Sequence, residues 1–168
     1  IHLAFSYDEE VGCLGARSLI AALRKTIPKP HAVIVGEPTD MKVVSAHKGV
    51  TAIRTTIEAK EAHSSQTQLG ISAVMIASRL IKFIEEMNEE NATTKTNSQF
   101  EPNHTTMTVN TINGGTAVNI LAKNCSFIWD IRNLPNEDPK DYIQRFEKFC
   151  LNTVLPSIKK LAPHGTIN

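Results

Sequence analysis

The chain has 168 residues, a formal net charge of +1, and 41% hydrophobic against 21% charged residues, enough to bury one good core or parts of two. Its acids and bases are interspersed, which gives no electrostatic footprint for nucleic acid, and its apolar stretches fall short of the roughly 20 residues that span a bilayer. The three cysteines, Cys13, Cys125 and Cys150, are odd in number and widely spaced, which fits a reduced, cytoplasmic setting better than a disulfide framework.

The sequence begins inside an apolar run, without an initiator methionine or a leader, the pattern of a segment of something longer. Residues 1–7 predict a strand running into Ser6-Tyr7-Asp8-Glu9-Glu10-Val11-Gly12. Residues 15–25 predict a helix with Leu19, Ala22 and Leu23 on one face, stopped by Pro28 and Pro30. Residues 32–35 predict a second strand, ending in Gly36-Glu37-Pro38-Thr39. Strand, helix, strand is the order of parallel sheets with right-handed crossovers. Residues 1–48 therefore read as a fragment of a larger doubly wound α/β domain, with Glu9, Glu10 and Glu37 delivered to C-terminal strand tips, where open sheets build their sites.

A new arrangement starts at Gly49. Residues 50–59 alternate at Ile53, Thr55 and Ile57 as a strand does, and residues 70–88 carry a wide apolar stripe built on Val74, Ala77, Ile81 and Ile84. The polar tract 88–103 has no periodicity and reads as an exposed loop. Residues 105–112 and 125–131 predict two strands, with Asn113-Gly114-Gly115 as turn residues after the first. A last helix is predicted over 139–160, capped by Asp138 with Pro139 in its first turn. Residues 166–168 predict the start of a further strand. Residues 49–168 thus have the order of a ferredoxin-like α+β domain.

Several side chains could carry chemistry. Glu9 and Glu10 would point to opposite sides of a continued strand, so that one could bind a metal while the other faced substrate; they equally fit a solvated acidic pair. Glu37 follows a glycine at a strand end, a common arrangement. His63, in Ala62-His63-Ser64-Ser65, lies between a strand and a helix and fits an ordinary loop histidine as well as a functional one. Asn119 and Arg132 flank the final strand, where Arg132 is either a surface charge or a fork for a carboxylate. Three Asn-x-Ser/Thr triplets carry little weight, because the pattern is short.

In order and spacing, Asp8-Glu9-Glu10, Gly36-Glu37-Pro38-Thr39, Ala46-His47-Lys48-Gly49, His63-Ser64-Ser65 with Gly70 and Ala73, Gly114-Gly115-Thr116-Ala117-Val118-Asn119, and Trp129-Asp130-Ile131-Arg132-Asn133-Leu134-Pro135 resemble the M20 family of metallo-aminoacylases and peptidases. The resemblance implies a zinc-dependent catalytic domain followed by a lid and dimerisation domain. It implies Glu9 as general base and acid, Glu10 as ligand of one metal and Glu37 as ligand of the other. His63 is similar to a lid histidine that enters the partner's active site in a homodimer and stabilises the oxyanion, and Asn119 and Arg132 to lid residues that hold the carboxylate of an N-acyl amino acid. Two zinc ions, with cobalt as a substitute, would sit roughly 3.5 to 4 Å apart and activate a bridging water. The Glu-Pro-Thr and His-Lys-Gly blocks and the Asp-Ile-Arg-Asn-Leu-Pro ending favour release of acetate from N-acetylornithine, a step of arginine biosynthesis, over release of succinate from N-succinyl-diaminopimelate.

Part of the family pattern is missing from this sequence: an upstream His-x-Asp block with a bridging Asp, and a histidine near the C-terminus. Glu10 and Glu37 alone would leave the metals ligated mostly by water, so activity is expected only of the full-length dimer and metal binding by this segment is expected to be weak. Gln66-Thr67 and Leu121-Ala122 stand where, or near where, the family usually has proline. Two other readings remain open at this level, a different acyl specificity within the family and a non-catalytic dimerisation module.

Overall fold

Residues 1–94 and 99–168 are described by a computed structural model, and the backbone divides into two units, Ile1–Val44 and Ser45–Asn168. In the first unit the expected helix forms and the expected strands do not. Helix α1, Leu14–Thr26, is followed by Ile27 with extended backbone, its N–H still bonded to the Leu23 carbonyl at 3.0 Å. A residue before proline is pushed out of the helical region, which is why the helix stops there. Residues 1–7 and 32–35 are extended but unpaired as strands, and Leu3, Phe5, Val33, Ile34 and Val35 are exposed. This corrects the strand–helix–strand expectation. Apolar runs become parallel strands only when neighbouring strands and covering layers bury both faces, and this unit supplies neither.

The second unit is the ferredoxin-like arrangement that its pattern predicts. Strand β1, Thr51–Glu58, leads through a connection over 59–72, which includes a 3-10 turn at Thr67–Leu69, to helix α2, Ala73–Thr93; strands β2, Thr106–Gly114, and β3, Asn124–Arg132, follow. Helix α3, Pro139–Phe149, continues through one π turn, Cys150–Val154, into α4, Leu155–Lys159, and β4, Thr166–Ile167, closes the order. The sheet is antiparallel throughout, with spatial order β2-β3-β1-β4. Pro156 accounts for the π turn, because a proline inside a helix offers no N–H to the carbonyl four residues back and widens the turn before it. Asp138 caps α3 by accepting from the Lys140 N–H at 2.9 Å. Helix α2 begins later and ends later than its pattern suggested, so the expected loop over 88–103 starts as helix; residues 95–98 lie outside the described residues.

Alternation decides which face of the sheet is covered. Phe127, Trp129 and Ile131 of β3 and Ile57 of β1 are buried against Leu80, Ile84 and Met87 of α2 and against Phe146, Val154 and Ile158 of the last helix. Trp129 lies 5.0 Å from Phe146 between ring centroids. Its indole N–H donates to Thr55 Oγ1 at 3.2 Å inside the core, so the one polar edge of that ring is satisfied. The opposite face of the sheet carries Arg54, Asp130 and Arg132, the residues between the buried ones.

Candidate functional site

Glu9 and Glu10 lie in a turn that opens α1 rather than at a strand tip. The Glu9 carbonyl accepts from Gly12 and Cys13 N–H, both at 3.1 Å, with Asp8 at φ 57° and Gly12 at φ 95° bending the chain. The side-chain alternation expected of this pair therefore does not apply, because it depends on strand geometry. Glu37 also sits in a turn, its carbonyl accepting from Thr39 N–H at 2.9 Å while Thr39 Oγ1 donates to the Lys42 carbonyl at 2.7 Å. All three carboxylates are exposed. Among the described residues no three of His, Cys, Asp and Glu gather as a metal centre.

In the second unit His63 and Asn119 come together. The chain after β1 pairs with the segment before β3: His63 bridges Ile120, Ser64 N–H donates to the Asn119 carbonyl at 2.9 Å, and Leu121 N–H donates to the Ala62 carbonyl at 2.8 Å. Both side chains are exposed. Ser65 N–H donates to His63 Nδ1 at 3.2 Å, with Ser65 Oγ 2.8 Å from the same nitrogen. A nitrogen that accepts an N–H carries no proton itself, so the neutral ring holds its proton on Nε2 and presents it outward as a donor.

Arg132 is elsewhere. It ends β3, while His63 and Asn119 lie beyond the start of that strand, where β1 ends. β3 has nine residues, and its two ends are about 26 Å apart at the usual rise per residue. Asn119 and Arg132 of one chain therefore do not meet around a single carboxylate. Arg132 Nε donates to Asp130 Oδ2 at 2.9 Å, and Asp130 Oδ1 accepts from Thr108 Oγ1 at 3.0 Å. Sequence reasoning passed over Asp130, although its spacing of two from Arg132 on a strand is a readable sign that both share a face. Thr108 could be found only from the register.

The His47-Lys48-Gly49 and Asn133-Leu134-Pro135 motifs also meet. Gly49 N–H donates to the Asn133 carbonyl at 2.9 Å and Lys48 Nζ to the His104 carbonyl at 2.6 Å. Burial lowers the Lys48 ammonium below its ordinary range, with Glu101 and Glu137 acting in the opposite sense. Cys125 and Cys150 are buried thiols, Cys150 pushed up to about 12 chiefly by burial, which keeps it protonated and unreactive.

Residues 45–157 match the peptidase dimerisation domain of the M20 group. The chain is 33% identical over 140 residues to an acetylornithine deacetylase of Myxococcus xanthus, covering 83% of this chain and 36% of that protein. It is 35% identical over 129 residues to an acetylornithine deacetylase of Pasteurella multocida, covering 77% and 33%. The chain thus spans about a third of the length of the curated relatives it matches. An aminobenzoyl-glutamate utilization protein from Klebsiella pneumoniae shares the fold at a TM-score of 0.52 and 11% identity, over 73% of this chain and 27% of that one.

Proposed function

Because the chain belongs to the M20 peptidase dimerisation-domain family, we propose that it is the lid, with part of the catalytic domain, of a hydrolase that removes the acetyl group from N-acetylornithine, acting as a full-length homodimer. Residues 1–48 are assigned to the catalytic domain and 49–168 to the lid. The deacetylases among the relatives support the substrate. The separation of His63 and Asn119 from Arg132 along β3 is the observation that carries the dimeric reading. These three groups serve one substrate only if His63 and Asn119 come from one protomer and Arg132 from the other.

Glu10 and Glu37 would each hold one ion of a zinc pair, which when bound would make the hydrolytic water more acidic and polarise the acyl carbonyl; among the described residues no cluster of three potential ligands supplies the rest of such a site. Glu9 takes a proton from the hydrolytic water and returns it to the leaving amine. His63 donates a hydrogen bond from Nε2–H to the oxyanion that forms at the acyl carbon and keeps its proton. Arg132 and Asn119 hold the substrate carboxylate from the two protomers, the guanidinium by paired N–H donors.

The test is acetate release by the full-length enzyme. Glu9→Gln should abolish turnover without unfolding; unchanged turnover would favour a scaffold. Faster release of succinate from N-succinyl-diaminopimelate than of acetate from N-acetylornithine would move the specificity to that substrate. Mixed His63→Ala and Arg132→Ala protomers, each strongly impaired alone, should regain about a quarter of the wild-type number of intact sites in a randomly exchanged dimer. No recovery would defeat the shared-site assignment.

A further inference from the structure

We propose that Asp130, itself held by Thr108, is a positioning residue that aims the Arg132 guanidinium at a substrate carboxylate. The proposal rests on the reading of Arg132 as a carboxylate-binding group. On β3 the buried residues are Cys125, Phe127, Trp129 and Ile131, so Asp130 and Arg132 share the uncovered face. Register places Thr108 of β2 opposite Asp130 on one side and Ala52 of β1 opposite it on the other. Ala52 offers no competing donor. Each carboxylate oxygen therefore has its own partner: Thr108 Oγ1 donates to Oδ1 at 3.0 Å and Arg132 Nε to Oδ2 at 2.9 Å.

Two features point to function rather than to stability. The Asp130 side chain is 15% exposed and that of Arg132 55%, so the acid is anchored while the base projects. An ion pair with so exposed a partner adds little to folding stability. The contact also uses Nε, the inner nitrogen of the guanidinium. Among the described residues no hydrogen bond engages either terminal nitrogen, and such a pair of N–H donors can grip a carboxylate with two parallel hydrogen bonds. An arginine held in this way loses less side-chain freedom on binding than one that wanders.

The test uses the full-length enzyme with an N-acyl amino acid and its α-carboxamide as paired substrates. Arg132→Gln should erase the preference for the acid. Asp130→Ala should raise KM for the acid by about tenfold, with less effect on kcat, and should reduce the acid-over-amide preference; Asp130→Glu should recover part of it. Thr108→Val should show the same signature more weakly, and it decides the matter if Asp130→Ala does not fold. A lower melting temperature with unchanged preference in both Asp130→Ala and Thr108→Val, while Arg132→Gln loses it, would overturn the positioning role and leave the Arg132 reading standing. An unchanged preference in Arg132→Gln would overturn both.

Discussion

Gly49 gives its N–H to the Asn133 carbonyl at 2.9 Å, and a methyl group on its Cα would fall on Asn133 Oδ1, closer than a non-bonded carbon and oxygen approach. Asn133 cannot swing aside cheaply, since its amide nitrogen donates to the carbonyls of Leu134 and Glu137, both at 3.0 Å. Two of the motifs singled out in the sequence thus owe their residue types to a backbone clasp. Gly49→Ala should destabilise the second unit by about 1–3 kcal/mol, the usual range for forced overpacking. Urea denaturation of the chain measures it, and an unchanged midpoint would show that Asn133 yields.

The core holds one polar pair whose halves can be removed separately. Thr55→Val deletes the acceptor of the Trp129 indole and leaves a buried N–H without a partner, at a cost of about 1–3 kcal/mol. Trp129→Phe removes the donor together with part of the ring, and adds a cavity beside Phe146. In the double variant the loss should be smaller than the sum, because the unpaired N–H is gone. Equilibrium unfolding of the three variants forms the cycle that checks this.

Much of the second unit is legible because its strands and helices keep their periods: Phe127, Trp129 and Ile131 alternate, and α2 carries a continuous stripe. The first unit fails the same reading for a physical reason. Residues 1–7 and 32–35 have strand composition, yet a strand is completed by its neighbour, which composition does not reveal. The same limit applies to the site. Asn119 and Arg132 both flank β3 in sequence, and only the sheet shows that they flank opposite ends. Thr108 faces Asp130 in a register that shifts between Val109 and Thr111, so counting residues from Gly114 would place the wrong side chain there.

Tyr142 should make stability fall at alkaline pH. Its hydroxyl donates to Glu137 Oε2 at 2.7 Å, and burial, then that bond and charge, push the phenol up to about 12 from an ordinary 10. Below pH 10 both folded and unfolded states keep the proton and the contribution is whole. Between about 10 and 12 the unfolded chain releases it while the folded chain does not, so stability drains as pH rises. Tyr142→Phe should flatten the fall in that window. The tyrosinate absorbance lost in that variant should belong to a phenol titrating near the upper end; loss of a phenol titrating in the ordinary range would contradict the assignment.

His63 carries the most direct test of the proposed chemistry, because its donor role depends on a tautomer that the backbone selects. Ser65 N–H points at Nδ1 at 3.2 Å, so the neutral ring should hold its proton on Nε2. Nitrogen NMR of the chain labelled at histidine should show Nδ1 unprotonated at alkaline pH. Ser65→Ala removes the hydroxyl 2.8 Å from Nδ1 but keeps the backbone donor, so the tautomer should persist and turnover in the full-length enzyme should change little. His63→Ala should lower kcat by about 10² to 10³, as loss of an oxyanion donor does, with KM less affected, since the oxyanion exists only in the transition state. A ring protonated on Nδ1 would leave no outward donor, and His63 would then be an ordinary loop histidine.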